Sequence, residues 1–193
     1  PAASHRRVFI VEGMGHKVGW LTLHAGIAGG ADIILLPEIP YDINSVVEAL
    51  DKRTKEGKKF SILAVAEGAI SKEDAALSKK ELKAKRKANP YPSISYQIGK
   101  EIEEETGQEV RITVPGHMQR GGEPCPYDRV ISSRLGAAAA RLIIKEKYGY
   151  MVGFKNGEIV PVPLAEVAGK LKMVDPDSSI IKEAKGLGIC FGD

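Results

Sequence analysis

Short apolar runs recur between segments of helical period, and this alternation restricts the chain more than any other feature. Val8 to Val11 reads as a strand, and a helix is expected near 17–28, carrying Trp20, Leu21 and Ile27. Ile33 to Leu36 forms the next strand, stopped by Pro37. Asp42 or Asn44 can cap a helix that holds Val46, Val47 and Leu50 and ends near Gly57. Phe60 to Ala66 makes a third strand. Unbroken apolar runs suit strands covered on both faces, so the predicted fold is layered α/β, with a mostly parallel sheet and flanking helices. At 193 residues the chain can bury a core of its own and can hold one or two domains.

Further along, Ser93 is expected to cap a helix with Ile94, Ile98 and Ile102 at four-residue spacing, closed by Gly107. Glu109 to Val114 is a fourth strand. A glycine-rich loop leads to the longest helix, from about Tyr127 to Lys147, with Val130, Ile131, Leu135, Ala138 and Leu142 on one side. Tyr150 to Lys155 and Glu158 to Val162 flank Asn156-Gly157, a strong hairpin signal. Two short helices are expected to finish the chain, which shows no internal repeat.

Composition excludes several classes. No apolar run approaches the roughly 18 residues that span a bilayer, and 21 glycines and 11 prolines follow no G-X-Y period. Cys125 and Cys190 lie far apart and form no C-x-x-C pair, so a reducing, cytoplasmic setting is the default. Nothing in Pro1 to His5 resembles a secretory signal. The absence of an initiator Met and the early strand suggest a segment of something longer.

The net charge of +3 is local. Lys72, Lys79, Lys80, Lys83, Lys85, Arg86 and Lys87 stand against Glu73, Asp74 and Glu81, which leaves the rest of the chain near neutral. The stretch contains no aromatic residue to stack on a base, so a solvated helix or mobile insertion at about 70–90 is expected, and neither nucleic acid nor membrane is an expected partner.

In open α/β sheets ligands lie beyond the carboxyl ends of the strands. Three loops there carry chemistry. Glu12-Gly13-Met14-Gly15-His16-Lys17-Val18-Gly19 misses the dinucleotide pattern by one residue, because the third Gly stands at 19 where G-x-G-x-x-G requires 18. Its backbone N–H groups at a helix start nevertheless suit an anion or a polar sugar. Glu67 is a lone carboxylate ending an apolar strand, suited either to capping or to holding a substrate hydroxyl. Gly116-His117-Met118-Gln119-Arg120-Gly121-Gly122 sets an imidazole and a guanidinium three residues apart before a helix, a donor set for phosphate. His5, His16, His24 and His117 make no metal-binding pair, and neither a G-x-S-x-G elbow nor a Walker A loop is present.

GHMQRGGEPCPYDR resembles the GH-x-QRGG-x-P-x-x-DR signature of the 6-phosphofructokinases, and SHRRVFIVEGMGHKVGWLTLHAGIAGGADIILLPE followed by ILAVAEG resembles the same enzymes from mid-chain onward. The resemblance runs from Ser4 to Gly136. It implies phosphoryl transfer from ATP, or from pyrophosphate in some branches, to the 1-hydroxyl of fructose 6-phosphate with magnesium. It further implies that Met14 and Gly15 contact the sugar, that Glu67 holds its hydroxyls, that His117 and Arg120 grip the 6-phosphate, and that His16, Met118 and Gln119 belong to the same substrate-binding set. Arg7 and Arg111 match arginines supplied by a neighbouring subunit, which implies a homo-oligomer, dimer or tetramer. Both are read as lying at the amino ends of their strands, roughly 20 Å from the carboxyl-end loops at about 3.3 Å per residue.

Two positions depart from the family pattern. His16 stands where most relatives have Arg, and neutral imidazole does not replace a fixed cation at pH 7. Gly30, Ala31, Asp32 and Lys58 match an effector-nucleotide site of allosteric bacterial relatives, yet Glu56 replaces a basic residue expected there. The family's GGDGT-type donor loop and its TIDND-type loop, which carries the general base, do not occur in these residues. The chain therefore reads as a carboxyl-terminal, substrate-binding half, with a lobe at 1–122 and a segment at 123–193 that in the family returns to the amino-terminal lobe. No catalytic residue is expected within it, and exposed apolar surface and self-association are expected of the isolated chain. The rival readings are a non-enzymatic sugar-phosphate-binding module and, on the near-miss glycine loop alone, a nicotinamide-dependent oxidoreductase.

Overall fold

The computed structural model describes residues 7–193; Pro1 to Arg6, including the expected absence of a signal and the start of the family resemblance, lie outside the described residues. The chain divides into two units, one of residues 1–119 with 173–193 and one of residues 120–172.

In the first unit, strands β1 (Arg7–Gly13), β2 (Ile33–Leu35), β3 (Phe60–Ala66) and β4 (Glu109–Thr113) form a sheet in the order β2-β3-β1-β4 with every pair parallel. Such connections require crossovers, and helices supply them. These are α1 (Trp20–Ala28), α2 (Ile43–Lys55) and, between β3 and β4, α3 (Lys72–Ala75), α4 (Lys79–Ala88) and α5 (Ile94–Thr106). Asp42 rather than Asn44 caps α2, accepting from the Asn44 N–H at 2.9 Å. Gly107, with φ +67°, closes α5 in the left-handed conformation that glycine adopts without strain.

The core lies on both sheet faces. Val8, Ile10, Leu63 and Val65 pack with Val46 and Leu50 of α2 and Ile98 and Ile102 of α5. Leu23 of α1, Ile34 and Leu36 pack on the other side with Val174, Ile181 and Phe191. Coverage of β1 is uneven: Val8 and Ile10 are fully buried whereas Val11 is 41% exposed.

Residues 173–193 differ from the expected division at 122/123. They return to the first unit: Cys190 donates to the Asp32 carbonyl at 3.0 Å and accepts from the Ile34 N–H at 2.8 Å, extending the sheet beside β2. The apolar residues of α8 (Ser179–Gly186), Ile181 and Ala184, are what the face of β2 needs for burial. No pattern within 173–193 signals which surface they seek.

The basic stretch forms α3 and α4. Ser78 and Glu81 make a reciprocal capping box at the start of α4, which buries no residue. Its anchor is the ion pair of Lys85 with Asp74.

The second unit holds α6 (Pro126–Ile144), the hairpin β5 (Tyr150–Lys155) and β6 (Glu158–Pro163), and α7 (Leu164–Val167). Asn156 and Gly157, at φ +50° and +84°, form the hairpin turn that their dipeptide predicts. No residue of α6 is buried, and Tyr127, Val130, Ile143 and Ile144 are all more than half exposed.

Candidate functional site

Strand register decides where the loops gather. Gly13 pairs with Ala66 and Val11 with Thr113, so β3, β1 and β4 end together and release their loops at one edge of the sheet. These are the three loops singled out by the sequence.

Glu67 leaves β3 with its N–H bonded to the Gly13 carbonyl at 2.9 Å. Its carboxylate turns onto the neighbouring loop, where Oε1 accepts the N–H groups of Gly15 at 3.0 Å and His16 at 2.6 Å. Both bonds fall on one oxygen, which leaves Oε2 available to a hydroxyl. The receiving loop is a tight turn closed by the Val18 N–H to the Gly15 carbonyl at 3.0 Å, with His16 at φ +55°. A non-glycine residue in that region is uncommon and marks a constrained loop.

The third loop begins with a 3-10 turn, Gly116–Arg120, which exposes His117 and Met118 and leaves Gln119 half-buried. Residues three apart eclipse one another in such a turn, so the spacing of His117 and Arg120 puts them on one side of it. Gln119 joins this turn to the first loop: its Oε1 accepts the Met14 N–H at 3.0 Å and its Nε2 donates to the Glu12 carbonyl at 3.2 Å.

Glu12 is a residue whose role sequence reasoning missed. Its side chain is buried, and Oε2 accepts the Ser95 N–H at the start of α5. The carboxylate thus caps the helix expected to be capped by Ser93, whose buried hydroxyl finds no hydrogen-bond partner. An acid at the end of an apolar strand was the available signal. Glu38 was missed in the same way: its Oε1 accepts both the Gly19 N–H, at the start of α1, and the Val174 N–H, each at 3.0 Å. A cleft of about 560 Å³ opens beside Glu67 and runs between α4 and α5, lined among others by Lys85, Asn89, Tyr91 and Glu101.

Arg7 opens β1 at the opposite end from Gly13, and its guanidinium pairs with Glu109, which Arg111 also contacts. The Arg7 guanidinium, with Arg111, holds the Glu109 carboxyl below the usual carboxylate range. Arg111 is the third of five residues in β4, not at its amino end. Of the effector candidates, Gly30 and Lys58 are exposed and Ala31 is buried, while Asp32 is engaged internally. Its Oδ1 pairs with Arg53 at 2.8 Å and its Oδ2 accepts the Ile62 N–H at 2.9 Å.

Among the described residues no group of three or more His, Cys, Asp or Glu side chains is gathered to hold a metal ion. No helix among them is long and apolar enough to cross a membrane.

A parallel sheet whose adjacent strands release a carboxylate-braced glycine loop and a His- and Arg-bearing turn at one edge is an open α/β domain, in which ligands generally lie beyond the carboxyl ends of the strands. The chain belongs to the phosphofructokinase family, which it matches over residues 1–143. It is 53% identical over 192 residues to the ATP-dependent 6-phosphofructokinase of Spirochaeta thermophila, covering 100% of this chain and 52% of that protein. The chain thus spans about half the length of the curated relatives it matches. It is similar to the crystal structure of Pichia pastoris phosphofructokinase in the T-state, with a TM-score of 0.66 and 32% identity over 85% of this chain and 18% of that one. A pyrophosphate-dependent phosphofructokinase from Nitrosospira multiformis shares the fold, with a TM-score of 0.71 at 19% identity over 92% of this chain and 45% of that one.

Proposed function

We propose that these residues form the carboxyl-terminal, fructose 6-phosphate-binding half of an ATP-dependent 6-phosphofructokinase that acts in the cytoplasm. The observation that carries this reading is the clamp of the Glu67 carboxylate on the Gly15 and His16 amides. It holds a sugar-sized loop rigid and keeps one anionic oxygen for the substrate. Glu67 Oε2 takes a sugar hydroxyl beside the Met14-Gly15 loop, whose own amides are held by Gln119 and Glu67, and His117 with Arg120 takes the 6-phosphate through charge-assisted donors. Arg7 and Arg111 of a neighbouring copy complete the phosphate contacts, which makes the working form a homo-oligomer. Binding at these points fixes the sugar so that its 1-hydroxyl faces the donor, and holding the acceptor in place is the share of phosphoryl transfer that falls to this half.

The general base and the donor-binding loop are supplied from outside these residues. ATP is the donor named for the relative at 53% identity; the pyrophosphate-dependent neighbour supports the fold alone. Steady-state kinetics of the full-length protein test the reading. Arg120→Ala should raise KM for fructose 6-phosphate by about 10- to 100-fold, the worth of one or two charge-assisted phosphate bonds. An unchanged KM contradicts it.

A further inference from the structure

We infer that Gln119 is a positioning residue, which couples the phosphate-binding turn to the sugar-binding loop and does not itself hold the ligand. Both ends of its carboxamide are already used, Oε1 by the Met14 N–H and Nε2 by the Glu12 carbonyl. A primary amide is the one neutral side-chain group that presents an acceptor and a donor side by side, which is what the Met14 N–H and the Glu12 carbonyl at the end of β1 require. The same strand end is held twice more, by Ser95 on the Glu12 carboxylate and by Glu67 on Gly15 and His16. Those two clamps come from α5 and from the loop after β3. Among the described residues it is Gln119 that ties in the turn carrying His117, so the spacing between the Met14-Gly15 loop and His117 is set through its side chain.

The consequence for substrate rests on the reading of the site given above; the coupling of the two loops does not. Two variants separate them in the 193-residue chain. Gln119→Leu keeps much of the bulk and loses both bonds. Gln119→Glu keeps the acceptor for Met14 but sets a carboxylate oxygen against the Glu12 carbonyl, a clash that protonation of the introduced carboxyl converts into a donated bond. Glu12, Glu67, His16 and His117 are the ionisable groups of the same loops, so the wild-type profile is the reference.

Amide hydrogen exchange and fructose 6-phosphate titration are read together. In Gln119→Leu the Met14 amide should exchange at least tenfold faster while Ile10 and Leu63 keep their protection, and fructose 6-phosphate affinity should fall about tenfold. In Gln119→Glu the affinity deficit relative to wild type should shrink as pH falls from 8 to 5, a recovery that general damage to the fold does not produce. Unchanged Met14 exchange overturns the coupling. Faster exchange with full affinity, or a pH-independent deficit in Gln119→Glu, overturns the positioning role. A wild-type chain that ignores fructose 6-phosphate while Met14 responds to Gln119→Leu supports the coupling and overturns the functional reading.

Discussion

Gly68 stands hard against the main chain of His16: a Cβ on Gly68 would lie 1.9 Å from the His16 carbonyl oxygen. The obstacle is backbone, so no rotamer change relieves it. The residue before it, Glu67, binds the Gly15 and His16 amides, and the two loops therefore meet main chain to main chain as well as through the carboxylate.

Gly68→Ala should push the 14–16 loop away from Glu67. The expected cost is about 1–3 kcal/mol of stability, as for other overpacked sites, together with weaker sugar-phosphate binding. Thermal denaturation and ligand titration on the same sample check both; a variant with wild-type stability and affinity would show that the loops are not in register as described.

Arg53 and Asp32 bear on the effector-site match. Arg53 pairs with Asp32 and donates to the Ser61 hydroxyl at 3.0 Å and the Phe60 carbonyl at 3.2 Å, and so joins the ends of β2, α2 and β3. Arg53→Met should cost about 2 kcal/mol in urea unfolding, since charged hydrogen bonds are lost and Asp32 is left half-buried. Fructose 6-phosphate affinity should be unaltered, because the affected end of the sheet is opposite the ligand loops. A loss of affinity without a loss of stability would contradict this structural role.

Burial pushes the Glu101 carboxyl up; Gln97 opposes the shift through a hydrogen bond, and the nearby Glu73 and Asp74 charges add to it. A group that holds its proton more tightly when folded contributes stability below its unfolded pKa and loses it as pH rises through the folded value. Glu101→Gln keeps the acceptor and removes the charge, so the variant should unfold at higher temperature than wild type at pH 7. That gap should close as pH falls through the ordinary carboxylate range, about 4. Denaturation curves across pH check the sign, and a variant less stable than wild type at pH 7 would reverse it.

What could be read from the sequence was mostly local. The strands β1 and β3, the glycine closing α5 and the Asn156-Gly157 turn follow from neighbouring residues, and family resemblance singled out the candidate loops. The interactions that brace those loops join distant positions. Glu12 caps a helix 83 residues away, displacing Ser93 from that role, and Gln119 reaches Met14 across 105 residues. A periodicity argument sees neither, because each is a polar residue whose partner is a backbone N–H with no sequence signature. The return of 173–193 to the first unit was hidden for a related reason: Ile181 and Phe191 look like any short helix and tail until β2 is seen to need covering.

The most direct measurement is calorimetric titration of the chain with fructose 6-phosphate, with fructose and NAD as comparison ligands. Saturable binding is expected of fructose 6-phosphate alone among these, reduced at least tenfold by Glu67→Ala and again by Arg120→Ala, since each removes a charged partner of the ligand. Binding of NAD, or fructose 6-phosphate binding that neither substitution weakens, would contradict it.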